Sequence, residues 1–247
     1  MDTHTLIWLL PLFFLAAFVY SSVGHGGGSA YLALLALTAV NQSTIRSTAL
    51  MLNIVVATAG FISYHRAQHF SWRLLVPFAI GSVPAAFVGG LKLLSPKAFS
   101  LVLGVTLLVS AARLAWASPR TITHLPARML WWVGPPIGAG LGLVAGMVGV
   151  GGGIFLSPLL LLLGWADTKQ TAAVSAAFIL VNSISGLAAQ SPSVDWGLVL
   201  PAAVVVLVAG IAGSRLGANR FSPVWLQRLL AFVLVTASVK LLFQAAK

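Results

Sequence analysis

"SSVGHGGGSAYLALLAL", residues 21–37, sets four glycines, Gly24, Gly26, Gly27 and Gly28, inside an apolar run. Glycine loses more backbone freedom on ordering than any other residue and is a poor helix former. The stretch therefore breaks a helix, and the purpose of the break decides how the chain is organised. The pattern occurs twice: "VGHGGG" at 23–28 returns as "VGVGGG" at 148–153, identical at five of six positions, at an offset of 125. The register continues beyond the glycines. Gly60 and Gly186 pair at an offset of 126. Trp72 and Trp196, Pro77 and Pro201, and Gly89 and Gly213 pair at 124, and Ser95-Pro96 and Ser222-Pro223 at 127. A register that drifts only by short loop insertions marks a duplication.

The 247-residue chain is 59% hydrophobic and only 7% charged, with a mean hydropathy of +1.01. A soluble domain carries about a quarter charged residues. Apolar stretches of membrane-spanning length cover most of the sequence. The fold class is all-α, a polytopic integral membrane protein, with a first repeat at 1–117, a cytoplasmic linker at 118–129 and a second repeat at 130–247. In the first repeat the pattern predicts apolar segments at 6–22 and 29–40 around the glycines, then helices at 44–64, 73–93 and 97–117. The second repeat gives 130–147 and 154–164, then 170–189, 197–217 and 224–243. The first segment has no small-residue cleavage site after a short apolar core and reads as a mature helix.

The net charge of +11 does not point to nucleic acid, because the fourteen Lys and Arg are spread through short loops. That distribution follows the positive-inside rule. Arg113, Arg120 and Arg128 place the central linker in the cytoplasm, and Arg215, Arg220 and Arg228 do the same for the loop at 215–228. "YHRAQHFSWR", 64–73, reads as cytoplasmic, whereas its counterpart "QSPSVDWG", 190–197, has no Lys or Arg and reads as external. Lys92 and Lys97 depart mildly from the rule. Equivalent loops on opposite sides require an odd number of crossings per half, so the two halves are inverted and both termini lie outside. The segments flanking each glycine run then cross twice or not at all. Twelve helical residues span about 18 Å, well short of about 30 Å of hydrocarbon.

Inverted repeats with interrupted helices at matching positions are a secondary-transporter pattern. Irregular backbone within a membrane is tolerated where protein buries it or where it lines a cavity. A glycine run before an apolar segment presents backbone N–H groups at a helix N-terminus, an arrangement suited to anions. The packing alternative is that the glycines allow close helix contact. The expected substrate site is Gly24, His25, Gly26, Gly27 and Gly28 with Gly149, Gly151, Gly152 and Gly153. Thr48 and Asn53 in "RSTALMLNIVV", with Ser47, and Ser175 and Asn182 in "AAVSAAFILVNSISG" supply polar groups, either to the site or to interhelical hydrogen bonds. His25, where the other copy has Val150, reads as an anion ligand, a proton carrier or a donor to one carbonyl. Arg46 reads as an anion partner or a snorkelling cation.

Acidic residues are confined to Asp2, Asp167 and Asp195, all at loops or the terminus, so no carboxylate is expected at membrane depth. This argues against cation pathways lined by acidic rings and against paired-carboxylate chemistry. The chain has no cysteine. His65 and His69 stand at i, i+4, a spacing that a solvated loop explains as well as a metal. No metal and no cofactor are expected, and no catalytic constellation supports an enzyme. The expected partners are a small anionic substrate and the lipid bilayer of the cell membrane, not nucleic acid; a homodimer is left open.

"GHGGGSAYLALLAL" followed by "TALMLNIVVA", and "GMVGVGGGIFLSPLLLLLGW" followed by "AAVSAAFILVNSISGL", resemble the TauE/SafE family of membrane transporters over nearly the whole chain. The resemblance implies transport of sulfur-containing anions, such as sulfite, sulfoacetate or related organosulfonates, with export the expected direction. By position it maps the family's glycine motifs onto both runs, and its polar helix positions onto Thr48, Asn53, Ser175 and Asn182. At His25 many relatives are expected to carry a small apolar residue, which puts a shared proton-coupling role in doubt. Alternating access around a midplane site is the leading expectation; a passive channel or uniporter for the same anions is the alternative.

Overall fold

The computed structural model describes residues 3–35, 42–91, 126–190 and 194–246, together with Gly104, Leu108, Ala111 and Ala112. The described residues form helices and turns without strands: α1 (Thr3–Ser22), α2 (Gly28–Leu35), α3 (Gln42–Arg66) and α4 (Trp72–Leu91), then α5 (Ala127–Val148), α6 (Gly153–Leu162), α7 (Thr168–Ala188), α8 (Trp196–Asn219) and α9 (Pro223–Ala246). Five stretches are long and apolar enough to cross a bilayer: 43–66, 72–91, 128–148, 168–188 and 196–219. The expected helix at 97–117 and most of the linker lie outside the described residues. Each expected helix boundary within them falls close to an observed one.

Local chemistry sets the ends. Asp167 opens α7, its side chain accepting the Gln170 N–H at 2.8 Å, one of the donors a helix start leaves unpaired. Asp195 stands at the same position before α8. Helix α5 ends at Gly149, whose φ of 80° allows its N–H to bond back to Ala145. Gly151 and Gly152 follow with φ of 72° and 80°, and Gly24 and Gly27 adopt 75° and 90° in the first run. Successive left-handed residues are costly for any side chain with a β-carbon. Glycine at these five positions is thus a backbone requirement.

Contact order along the helices gives their directions. Down α5, Gly134, Gly138, Gly142 and Gly146 press in turn against Pro77, Phe78, Ser82 and Ala86 of α4, so the two run parallel. Gly213 and Gly217 of α8 press in the same way on Phe18 and Ser22 of α1. Val56 faces Gly210 and Tyr64 faces Gly217, which makes α3 and α8 parallel as well. By contrast, α3 and α7 run antiparallel: Leu50 lies by Gly186, Asn53 by Ser183 and Gly60 by Ala176. Equivalent helices therefore exchange partners. Helix α4 of the first half packs on α5 of the second, and α8 of the second packs on α1 of the first.

The antiparallel pair α3 and α7 forms the centre, with 61% and 72% of their apolar windows buried against 28–44% for the other long spans. Trp8, Ile80, Trp132, Val204 and Phe232 project outward, as apolar side chains facing lipid do. The α4–α5 seam is built of small residues at every fourth position, so that backbones meet directly. A β-carbon on Gly138 would collide with the Phe78 carbonyl, and one on Gly142 with that of Ser82. At Gly140, on the other face, a β-carbon meets nothing within 4 Å. Gly138→Val is expected to destabilise the protein by about 3 kcal/mol. Gly140→Ala is expected to be neutral or to stabilise by up to about 1 kcal/mol. Thermal unfolding of the two variants in detergent, followed by size-exclusion chromatography, separates the outcomes.

Candidate functional site

The two glycine runs meet between α3 and α7, and residues 21–28 and 149–158 are all buried. Asn53 of α3 joins them. Its Oδ1 accepts the Gly28 N–H at 3.0 Å, the first donor of α2. Its Nδ2 donates to the Val150 carbonyl at 3.2 Å, in the other run, and to Ser183 Oγ at 3.0 Å. One acceptor among donors and one donor group among acceptors fix the orientation of the amide. No larger residue fits the runs here: a β-carbon on Gly26 would strike Asn53 Oδ1, and one on Gly151 would lie 2.6 Å from Ser183 Oγ and 2.7 Å from Asn53 Nδ2.

The second run has no such polar partner at the matching position of its own half. Gly151 and Gly153 pack on Ile179 of α7 as Gly26 and Gly28 pack on Asn53 of α3; Ile179 follows Asn53 by the same 126 residues that separate Gly186 from Gly60. Positions matched by the sequence offset thus hold one polar clamp and one apolar wedge. The same holds one step earlier. Gly24 backs onto the Ala172 backbone, and Gly149 lies beside Arg46, with 126 residues between Arg46 and Ala172.

Arg46 is 9% exposed. Its Nη2 donates to the carbonyls of Gly146 and Met147 at 2.9 and 3.0 Å, which caps the C-terminal end of α5. Its Nε has no hydrogen-bond partner, and no carboxylate pairs with it among the described residues. A cation this deep is costly without a counter-charge.

His25 lies in the first run, and its ring reaches the second half. Nδ1 faces the Val23 carbonyl at 3.1 Å, and Nε2 faces Ser157 Oγ at 3.4 Å. Ser157 Oγ in turn lies 2.7 Å from Ser175 Oγ, and the Gly153 backbone is within reach of the ring. A neutral ring donating from Nδ1 leaves Nε2 to accept from Ser157, so the three side chains form one hydrogen-bonded chain from α2's entry through α6 to α7.

The remaining sequence-predicted groups differ in their use. Thr48 is fully buried and its Oγ1 has no partner. Asn182 bonds back to the Phe178 carbonyl at 2.8 Å and leaves Oδ1 unpartnered; no hydrogen bond joins it to either run among the described residues. Gly27 and Gly152 lie under aromatic rings, of Tyr31 and Phe178 respectively.

Sequence reading missed Ser157, Ser183 and Tyr31. The two serines acquire meaning only from the contact of α6 and α7 with the opposite half. Tyr31 is fully buried, edge-on to Phe13 with ring centroids 5.5 Å apart. Its hydroxyl would lie 2.7 Å from a β-carbon on Gly27, and no protein group bonds it. Among the described residues, no protein acceptor takes the N–H of Gly26, Gly27, Gly151 or Gly152 either. Among the described residues, unpaired N–H groups thus lie in both runs, with the Tyr31 hydroxyl beside Gly27 and the Arg46 side chain beside Gly149.

A family model described as "Sulfite exporter TauE/SafE" matches residues 9–241. The chain is 34% identical over 253 residues to the probable membrane transporter protein y4hK of Sinorhizobium fredii, covering 98% of this chain and 100% of that protein. Two Bacillus subtilis proteins are also similar. The probable membrane transporter protein YjnA is 26% identical over 89% of this chain and 92% of its own length, and YunE is 24% identical over 96% and 97%. No solved structure matches the chain. Replacing Asn53 by Leu removes three hydrogen bonds and leaves Gly28 N–H, the Val150 carbonyl and Ser183 buried. Each stranded group costs about 1–3 kcal/mol. Asn53→Leu should therefore lower the melting temperature far more than Ser183→Ala, read by thermal unfolding of both variants.

Proposed function

This chain belongs to the sulfite exporter TauE/SafE family of membrane transporters, and from that premise we propose that it moves a sulfur oxyanion or organosulfonate, such as sulfite or sulfoacetate, out of the cell. The observation that carries the anion class is the set of unpaired donors along the glycine runs. Among the described residues, the backbone N–H groups of Gly26, Gly27, Gly151 and Gly152, the Tyr31 hydroxyl and the Nε of Arg46 lack acceptors, and Arg46 has no carboxylate partner. A sulfite or sulfonate group brings three acceptor oxygens and a negative charge, which matches that surplus. Hydrogen bonds to a charged acceptor are worth about 1.5–3 kcal/mol each.

The proposed site comprises Gly26, Gly27, Gly151 and Gly152 through their N–H groups, Tyr31 through its hydroxyl and Arg46 through its charge. Asn53 holds the two runs in register, and His25, bonded to Ser157, is the titratable group beside them. Gly24, Gly28, Gly149, Gly153, Thr48, Ser175 and Asn182 frame these groups. The antiparallel course of α3 and α7, and the partner exchange between α4–α5 and α8–α1, support an inverted repeat. A bundle of that kind opens alternately to either side when one half rocks on the other. Loop charges then put the central linker in the cytoplasm and the termini outside.

The test is flux of sulfite or sulfoacetate in proteoliposomes containing the purified protein. Substrate moved against its gradient by an imposed pH gradient supports a coupled transporter; flux that only dissipates a gradient makes the protein a uniporter. No flux of either anion with folded protein overturns the substrate class. Tyr31→Phe gives a sharper reading. Removing an unpartnered buried hydroxyl should leave the melting temperature unchanged or raise it, while the KM for the transported anion rises about tenfold.

A further inference from the structure

Between α3 and α8 lies a second feature that transport does not require. It is a cleft of about 480 Å³ along one flank of the bundle, with Arg66 and Arg215 at one end and Val55 and Leu207 at the other. Both arginines are exposed. Helices α3 and α8 run parallel here, so both arginines sit near the same helix ends. From Val55 to Arg66 the cleft follows eleven helical residues, about 16 Å, close to half of a ~30 Å hydrocarbon layer. It therefore reaches from one headgroup level to the middle of the bilayer, the depth of a single leaflet.

The wall is apolar in effect. Ile62 and Leu207 are 43% and 41% exposed, and Ile211 lies between the arginine end and the bilayer centre. The polar side chains along it are already used: Thr58 donates to the Ile54 carbonyl at 2.7 Å, Ser63 accepts from Ser214 at 2.8 Å, and Asn219 donates to the Arg215 carbonyl at 3.0 Å. The two guanidinium groups have no ion-pair partner among the described residues. A soluble anion would use the arginines and leave the apolar wall without purpose. A lipid uses both.

The duplication supplies a comparison. By the register of the repeats, Arg215 corresponds to Leu91 and Arg66 to Pro192, so the related flank of the other half carries no arginine. The basic pair marks one leaflet only, the one that the loop charges assign to the cytoplasm. That leaflet holds the anionic lipids, and each Lys or Arg near its surface contributes about 1 kcal/mol of attraction. Arginine pairs also bind phosphate oxygens in a forked geometry.

We propose that this cleft binds one anionic phospholipid, its phosphate held by Arg66 and Arg215 and one acyl chain lying along Ile62, Leu207 and Ile211. The experiment is thermal unfolding of the purified full chain in neutral detergent, with added phosphatidylglycerol or with phosphatidylcholine of the same acyl chains. Selective binding to the folded state raises the melting temperature by mass action, so phosphatidylglycerol should raise it by several degrees more than phosphatidylcholine. The double variant Arg66→Gln/Arg215→Gln should lose that difference. Ile211→Trp, which fills the apolar part and keeps both arginines, should lose it as well. Equal shifts from the two lipids, or a difference retained in either variant, overturn the proposal. An equal shift from glycerol 3-phosphate alone would make the site a pocket for a soluble phosphate and overturn the lipid assignment.

Discussion

A backbone amide inside a bilayer has no water to bond, and the arrangement of this protein follows from how it meets that constraint. Long helices satisfy their own amides. The two glycine runs cannot, because they leave helical geometry in the middle of the molecule. They are placed where the other half can cover them, between the central helices α3 and α7. Asn53 is the principal link: one side chain closes a donor of the first run and an acceptor of the second. The amides of Gly26, Gly27, Gly151 and Gly152 have no protein acceptor among the described residues.

Glycine serves two separate purposes here. In the α4–α5 and α1–α8 seams it removes β-carbons so that one backbone can lie on another. Van der Waals contact at that range is the main source of cohesion between helices in lipid, where no hydrophobic force draws them together. In the runs themselves it allows left-handed backbone at Gly24, Gly27, Gly149, Gly151 and Gly152. Close packing and special backbone angles, which compete as explanations from sequence, are both present, and Gly24 serves both, its left-handed backbone lying directly against that of Ala172.

Positions matched by the sequence offset differ in their chemistry. Where the first half offers Asn53 to its glycine run, the second offers Ile179; where the second run lies by Arg46, the first lies by the Ala172 backbone. One polar clamp and one buried cation are placed asymmetrically about a pair of equivalent loops. The two runs therefore have different surroundings, a polar side chain against the first and an apolar one against the second. The flank at α3 and α8 shows the same divergence at a distance, with arginines in one half and none at the related positions of the other.

Composition and hydropathy by themselves determined the membrane class, because so few charges and such long apolar runs leave no soluble alternative. The offset matches pointed to a duplication, and the helix limits followed from apolar length, which the bilayer fixes. The glycine runs could be marked as special because nothing in a membrane helix calls for three consecutive glycines. Tertiary structure decided which groups meet there. Asn53 and Asn182 look alike in sequence, yet one ties both runs together and the other bonds back to its own helix. Arg46 near a helix start gives no hint that it caps α5 a hundred residues away. Tyr31 reads as one more apolar helix residue until Gly27 is seen beneath its ring. These assignments depend on the register between antiparallel helices from different halves, which is set by side-chain packing across the interface and not by any local pattern along the chain.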